Sequence, residues 1–311
     1  MITIFLKVIY IFLIVGINLF IGSYVVNKLA ARSEHRRGFT AGRAGGFGYP
    51  VLKMFKYLEK DTKLTIWEFL LLFFSFFIWA IIPFSPWLVL IRFDADLVIA
   101  LLFYIILLFL FLVNSSRSSY GMIFQNASKK ILMTFTFLIP VFLSMASLIL
   151  INRTLTLKEI VGFQYQYWNI IYQPLGFIVF FTYAVVQVKM FGLSKTNIIF
   201  YNENIEKEGS GFGWLTLRVA NYIMLFFIIV LMIILYLAGW QNLYFIDGNI
   251  LFGLKFYIIF FIILLLDRAT PAISDYRYLV SINWKFMIPL SAANFLITIL
   301  FFILRNIYNL I

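Results

Sequence analysis

Long apolar runs separated by shorter polar stretches make up this chain, and eight of the runs are long enough to cross a bilayer: about 3–26, 66–91, 97–114, 131–151, 172–190, 215–239, 249–266 and 284–304. A crossing helix takes about 20 mostly apolar residues, because hydrocarbon offers no partner to a backbone amide and a helix pairs its own. The first run is too long for the core of a signal peptide, and no small-residue cleavage site lies between it and the polar stretch that follows. One segment breaks the pattern. From Pro50 to Lys60, Val51, Leu52, Met54, Phe55 and Leu58 share one helical face while Lys53, Lys56 and Lys60 take much of the other. Pro50 suits a first helical turn. Too short to span, this segment reads as an interfacial helix at headgroup depth. The glycines ahead of it, Gly38 to Gly48, leave two readings open, a flexible linker or a tight wrap around a ligand or partner. The pattern therefore predicts an all-α polytopic membrane protein, one integral membrane domain over 1–311. It has a basic loop with the interfacial helix at 28–65, a polar loop at 190–214 and a further loop at 267–283.

Composition agrees and charge adds orientation. At 63% hydrophobic, 12% charged and a mean hydropathy of +0.98, the chain lies far from a soluble domain. A net charge of +12 would suggest nucleic acid in a soluble protein. Here the basic residues gather in loops, as they do on the non-translocated side of a membrane, and no nucleic-acid partner is implied. The loops after the first, third, fifth and seventh runs hold nineteen of the 25 lysines and arginines, nine of them between Lys28 and Lys63. Both ends of the chain are then expected on the opposite, translocated side.

The chemistry is sparse. With no cysteine, iron–sulfur ligation and thiol catalysis within this chain are excluded, and His35 is the only histidine, so a histidine metal site lacks material. The span interiors carry no carboxylate near their centres, which argues against a self-contained pump. Asp94 and Asp96 suit a helix N-terminus. Pro83, Pro86 and Pro140 read as helix kinks. Lack of a transit peptide, with heavy use of Phe, Ile, Leu and Tyr, points to a mitochondrially encoded chain in the inner membrane, with a bacterial inner membrane as the alternative.

Four blocks, read in order, resemble the family of subunit 1 of NADH:quinone oxidoreductase, respiratory complex I. In the first loop, Arg36, Arg37, Gly38, Gly46, Pro50, Lys56 and Asp61 fall into the family's pattern. Asp96-Leu97 forms a second, weaker block. Gln173-Pro174-Leu175, Glu208-Gly209-Ser210-Gly211, Val219-Ala220-Asn221-Tyr222 and Gly239-Trp240 form the third. In the fourth, Arg268-Ala269-Thr270, Tyr276, Leu279, Trp284-Lys285 and Pro289 keep the family's spacing.

The resemblance implies a quinone-access tunnel between the first and sixth spans and the interfacial helix, linking a peripheral redox arm to a proton-translocating membrane arm. Arg32, Arg36, Arg37, Gly38, Lys56, Asp61, Glu208, Arg268 and Asp275 would line the tunnel or meet the arm. Quinone would be substrate, with no cofactor held by this chain; NADH, FMN and iron–sulfur clusters would sit in partner subunits. Peripheral-arm quinone-site subunits, other membrane-arm subunits and lipids would be its partners. Where the family carries buried glutamates in its fourth, fifth and sixth spans, this chain has Thr136, Gln187 and Asn221, which puts the proton path in question. The competing readings are the membrane subunit of an energy-converting hydrogenase and a non-redox transporter or scaffold.

Overall fold

The computed structural model describes residues 2–35, 38, 45–59, 65–116, 121–190, 211–242, 246–270 and 276–307. Among them every regular element is helical: α1 (Ile2–Ser33), α2 (Tyr49–Leu58), α3 (Ile66–Phe77), α4 (Asp96–Ser116), α5 (Gly121–Asn152), α6 (Leu157–Phe163), α7 (Asn169–Tyr172), α8 (Pro174–Met190), α9 (Gly211–Tyr236), α10 (Gly248–Ala269), α11 (Tyr276–Ile282) and α12 (Ile288–Ile307). A π-helical turn at Asn283–Met287 joins α11 to α12 as one rod. Six of these rods are long and apolar enough to cross a membrane. Two shorter apolar helices, Ile66–Ala80 and Pro174–Met190, fall where the remaining two predicted spans lie.

The sequence of α9 is apolar on every side from Ile223 to Leu235, and a helix of that kind belongs in the middle of a bundle. Every residue from Ala220 to Tyr236 is buried. Helices α3, α4, α8 and α10 pack around it. Its C-terminal carbonyls, which no helical amide reaches, are met by side chains from its neighbours. Gln164 Nε2 donates to Ile234 O (2.8 Å), Asn169 Nδ2 to Leu235 O (2.8 Å) and Lys255 Nζ to Leu237 O (2.5 Å). A cation at that helix end also complements the helix dipole.

By contrast α1 stands at the periphery. A single stripe of Ile11, Val15, Val26 and Ala30 is buried, and Ile4, Phe5, Leu6, Leu13 and Ile17 are exposed for lipid or another subunit. Gly22 lets α1 approach α9 closely: a Cβ there would lie 2.7 Å from the Phe226 ring.

The predicted second span, 66–91, is too long. The α3 helix ends in a 3₁₀ turn at Ala80, and 81–95 runs on without regular helix. Pro83 and Pro86 therefore end the helix instead of kinking it, since a proline lacks the amide the next turn needs. Non-helical backbone survives at membrane depth only when protein covers it. Ile81 and Ile82 are fully buried, and the amides of Leu90 and Ile91 return to Ala80 O (3.3 and 3.1 Å). Pro140 lies inside α5, which continues through it.

Candidate functional site

On the basic side of the bundle a cavity of about 490 Å³ opens between α1, α2, α3 and the first turns of α9. Its walls are apolar, with Phe20, Met54, Phe76 and Val219 among them. The α2 helix closes one side with Val51, Met54 and Leu58. The link between α2 and α9 is aromatic: Tyr57 and Trp214 lie 4.0 Å apart with their planes 31° from parallel. Two cations border the pair. Lys53 Nζ sits 5.2 Å from the Trp214 ring and Arg218 Cζ 4.9 Å from it, so the cavity's edge is a cation–aromatic cluster.

Polar groups inside the cavity are few. Asn27 Nδ2 is spent on its own helix, at Ser23 O (2.6 Å). The hydroxyl of Tyr222 is buried and has no hydrogen-bond partner among the described residues.

The loop after α1 folds back along that helix. Phe47 packs edge-on against Phe20 (4.8 Å) and Tyr24 (5.2 Å), and Tyr24 Oη donates to Gly45 O (3.3 Å). The described part of the glycine-rich stretch thus rests on the chain's own first helix, which decides neither of the two readings left open for it. Gly38 has φ +68°, and a Cβ there would fall 2.8 Å from that of Ala31, so this turn needs glycine.

The ends of α1 and α10 meet on this side. Arg268 Nη1 donates to Ser33 Oγ (3.3 Å), joining the last turn of the first span to the last turn of the seventh. Beneath this contact lies a buried ion pair. Lys189 Nζ is 3.5 Å from Asp267 Oδ1, with both side chains almost wholly buried, and it donates to Asp267 O (3.2 Å) and Thr270 O (2.7 Å). Arg268 Nε approaches the other oxygen of Asp267 at 3.9 Å. One ammonium thus binds the final turn of α10 to α8 and sets the direction in which Arg268 leaves it.

Of the residues singled out from sequence, Arg32 and Lys56 are exposed on this face, and Gly38 and Arg268 stand as described. Arg36, Arg37, Asp61, Glu208 and Asp275 lie outside the described residues. Thr136, Gln187 and Asn221 stand on α5, α8 and α9 respectively. Thr136 donates to Met133 O (2.9 Å); Gln187 is 1% exposed and neither end of its amide has a partner among the described residues. One turn from Gln187, Tyr183 shares a buried 2.8 Å hydrogen bond with Tyr104, whose ring stacks on Phe227 (4.9 Å). Sequence reasoning missed the Lys189–Asp267 pair, the Tyr104–Tyr183 pair and the Trp214–Arg218 edge. It also missed a buried network near the other face. There Gln173 Nε2 donates to Thr298 Oγ1 (3.0 Å), and Asn294 Nδ2 to Ser147 Oγ (2.8 Å), which itself contacts Gln173 Oε1 at 3.1 Å. Only Gln173 in that network carried a signal, as part of the third motif block.

Comparison with known proteins joins these features to a family. An NADH-quinone oxidoreductase subunit of Bacillus cytotoxicus is 29% identical over 238 residues, 73% of this chain and 69% of that protein. The corresponding NADH-quinone oxidoreductase subunit of a Geobacillus species is 30% identical over 217 residues, 66% and 64% of the two chains. That of Bacillus cereus is 28% identical over 238 residues, 73% and 69%. The sequence model of the NADH dehydrogenase family matches residues 6–299, a stretch holding both the cavity walls and the buried ion pair. On that match, which leaves only a few residues at either end uncovered, the chain belongs to the NADH dehydrogenase family.

Proposed function

We propose that this chain is the quinone-site membrane subunit of an NADH:quinone oxidoreductase, forming the quinone-access tunnel and coupling a peripheral redox arm to the membrane arm. The observation that carries the reading is the apolar cavity between α1, α2, α3 and α9, its edge set with Lys53 and Arg218 on the same face as the Arg268–Ser33 junction. A quinone has an apolar tail and a polar head. The tail takes the apolar walls of Phe20, Met54 and Phe76. The head passes Tyr222 on its way towards the basic edge. Arg268 adds a planar guanidinium that holds acidic groups of a peripheral subunit through paired hydrogen bonds.

Redox chemistry belongs to partners in this reading, since the chain has no cysteine to hold a cluster. NADH, FMN and iron–sulfur clusters are assigned to those subunits, and other membrane-arm subunits to the exposed flanks. The shared name of the relatives favours this reading over a hydrogenase membrane subunit. Their bacterial sources favour a bacterial inner membrane over the mitochondrial one.

Gly16 provides the test. It lines the cavity, and a Cβ there meets nothing within 4 Å, so the side chain of Gly16→Phe can start into the passage and narrow it. The assembled enzyme should then lose most quinone reductase activity while still oxidising NADH with a water-soluble artificial acceptor. Unchanged quinone reduction would sink the proposal.

A further inference from the structure

A second cavity, of about 500 Å³, lies on the other flank of α1, between α1, α9, α10 and the irregular segment after α3. The two cavities are separate because α1 divides them. Gly16, Phe20, Ser23 and Asn27 face the first, and Tyr10, Ile14 and Asn18 face the second. At 3.6 residues per turn these sets lie about half a turn apart on the helix. Val15 and Phe226 belong to the inner wall of the second cavity, where α1 leans on α9. Its size falls within the range of about 300–1,000 Å³ that small-molecule sites occupy.

Its chemistry is graded along the membrane normal. At the outer end stand Asn249, in the first turn of α10, and Trp87, which is 82% exposed, as an interfacial tryptophan is. Further in, the lining turns apolar through Phe252 and Phe256. Tyr257 Oη closes the deep end by donating to Asn18 Oδ1 (2.6 Å).

We propose that this cavity binds a phospholipid of the outer leaflet, one acyl chain lying along Phe252 and Phe256 and the polar glycerol region level with Asn249 and Trp87. A quinone fits less well. Its head would lie on the side of α1 away from the basic face, with the helix closed against Phe226 between the two. The inference is independent of the quinone reading, because the residues that test it line the second cavity alone.

The assembled complex, in nanodiscs containing phosphatidylglycerol with a photoactivatable group on one acyl chain, is irradiated and its adducts mapped. Adducts are expected on residues 10–15 and 249–257, above the level on the lipid-facing stretch 296–304. Gly253 lines the cavity, and a Cβ there meets nothing within 4 Å, so Gly253→Phe should reduce the first two to that background and leave the third unchanged. Even labelling over all lipid-facing helices, adducts indifferent to Gly253→Phe, or a photoactivatable isoprenoid quinone labelling the same peptides in preference to the lipid would each overturn the proposal.

Discussion

At the scale of the residue, the most consequential group is one the pattern along the chain does not mark. Lys189 reads as a loop cation at the end of the fifth span, and Asp267 as an acid at the end of the seventh. No periodicity relates positions 78 apart, so only the fold reveals that they neutralise each other in a buried site. Burying two charges gains little over a well-packed apolar pair, but removing one partner strands the other. Lys189→Met alone should therefore destabilise the subunit by about 3–5 kcal/mol, and Lys189→Met with Asp267→Leu should recover most of that. Thermal unfolding of the purified complex, or the amount of subunit retained in it, measures both. Equal losses in the single and double variants would mean that the lysine's hydrogen bonds to Asp267 O and Thr270 O matter more than the charge pair. Tyr222 is the complementary case, a motif residue whose place in the cavity comes from the structure alone.

At the scale of the element, the amphipathic spacing from Pro50 onward predicts α2 to within a residue at its start, because the signal is local. What that helix rests on is not local. Tyr57 meets Trp214 across more than 150 residues, and the two flanking cations come from α2 and α9 in turn. The error at the end of α3 has the same origin. Hydropathy sees a continuous apolar run through 91, yet Pro83 and Pro86 leave amides missing, and the chain can depart from helix only because neighbouring protein covers Ile81 and Ile82. Removing the aromatic link should loosen α2 without unfolding the bundle. Trp214→Ala forfeits an aromatic pair and two cation–π contacts, together about 1–3 kcal/mol. Limited proteolysis should then cleave the 34–64 region faster, with the KM for quinone rising in step. An unchanged cleavage rate would show that α2 is held by other contacts.

Across the whole molecule, the hydropathy pattern set out the bundle, and the contact of Arg268 with Ser33 brings the ends of the first and seventh spans together at one end of it. Proton coupling was not legible, because the positions where the family carries buried glutamates here hold Thr136, Gln187 and Asn221. Groups of this kind do not exchange protons at neutral pH; they can hold water that does. Gln187 is buried with neither end of its amide partnered among the described residues, one turn from the Tyr104–Tyr183 pair and two residues from the Lys189–Asp267 pair. A water chain held along α8 by these groups would join the basic face to the bundle's interior. Gln187→Leu removes the central holder at nearly constant volume. In vesicles carrying the assembled enzyme, this variant should reduce quinone while acidifying the translocated side less per quinone than the parent enzyme. A preserved ratio of protons to quinone would remove α8 from the path and leave translocation to the other membrane-arm subunits.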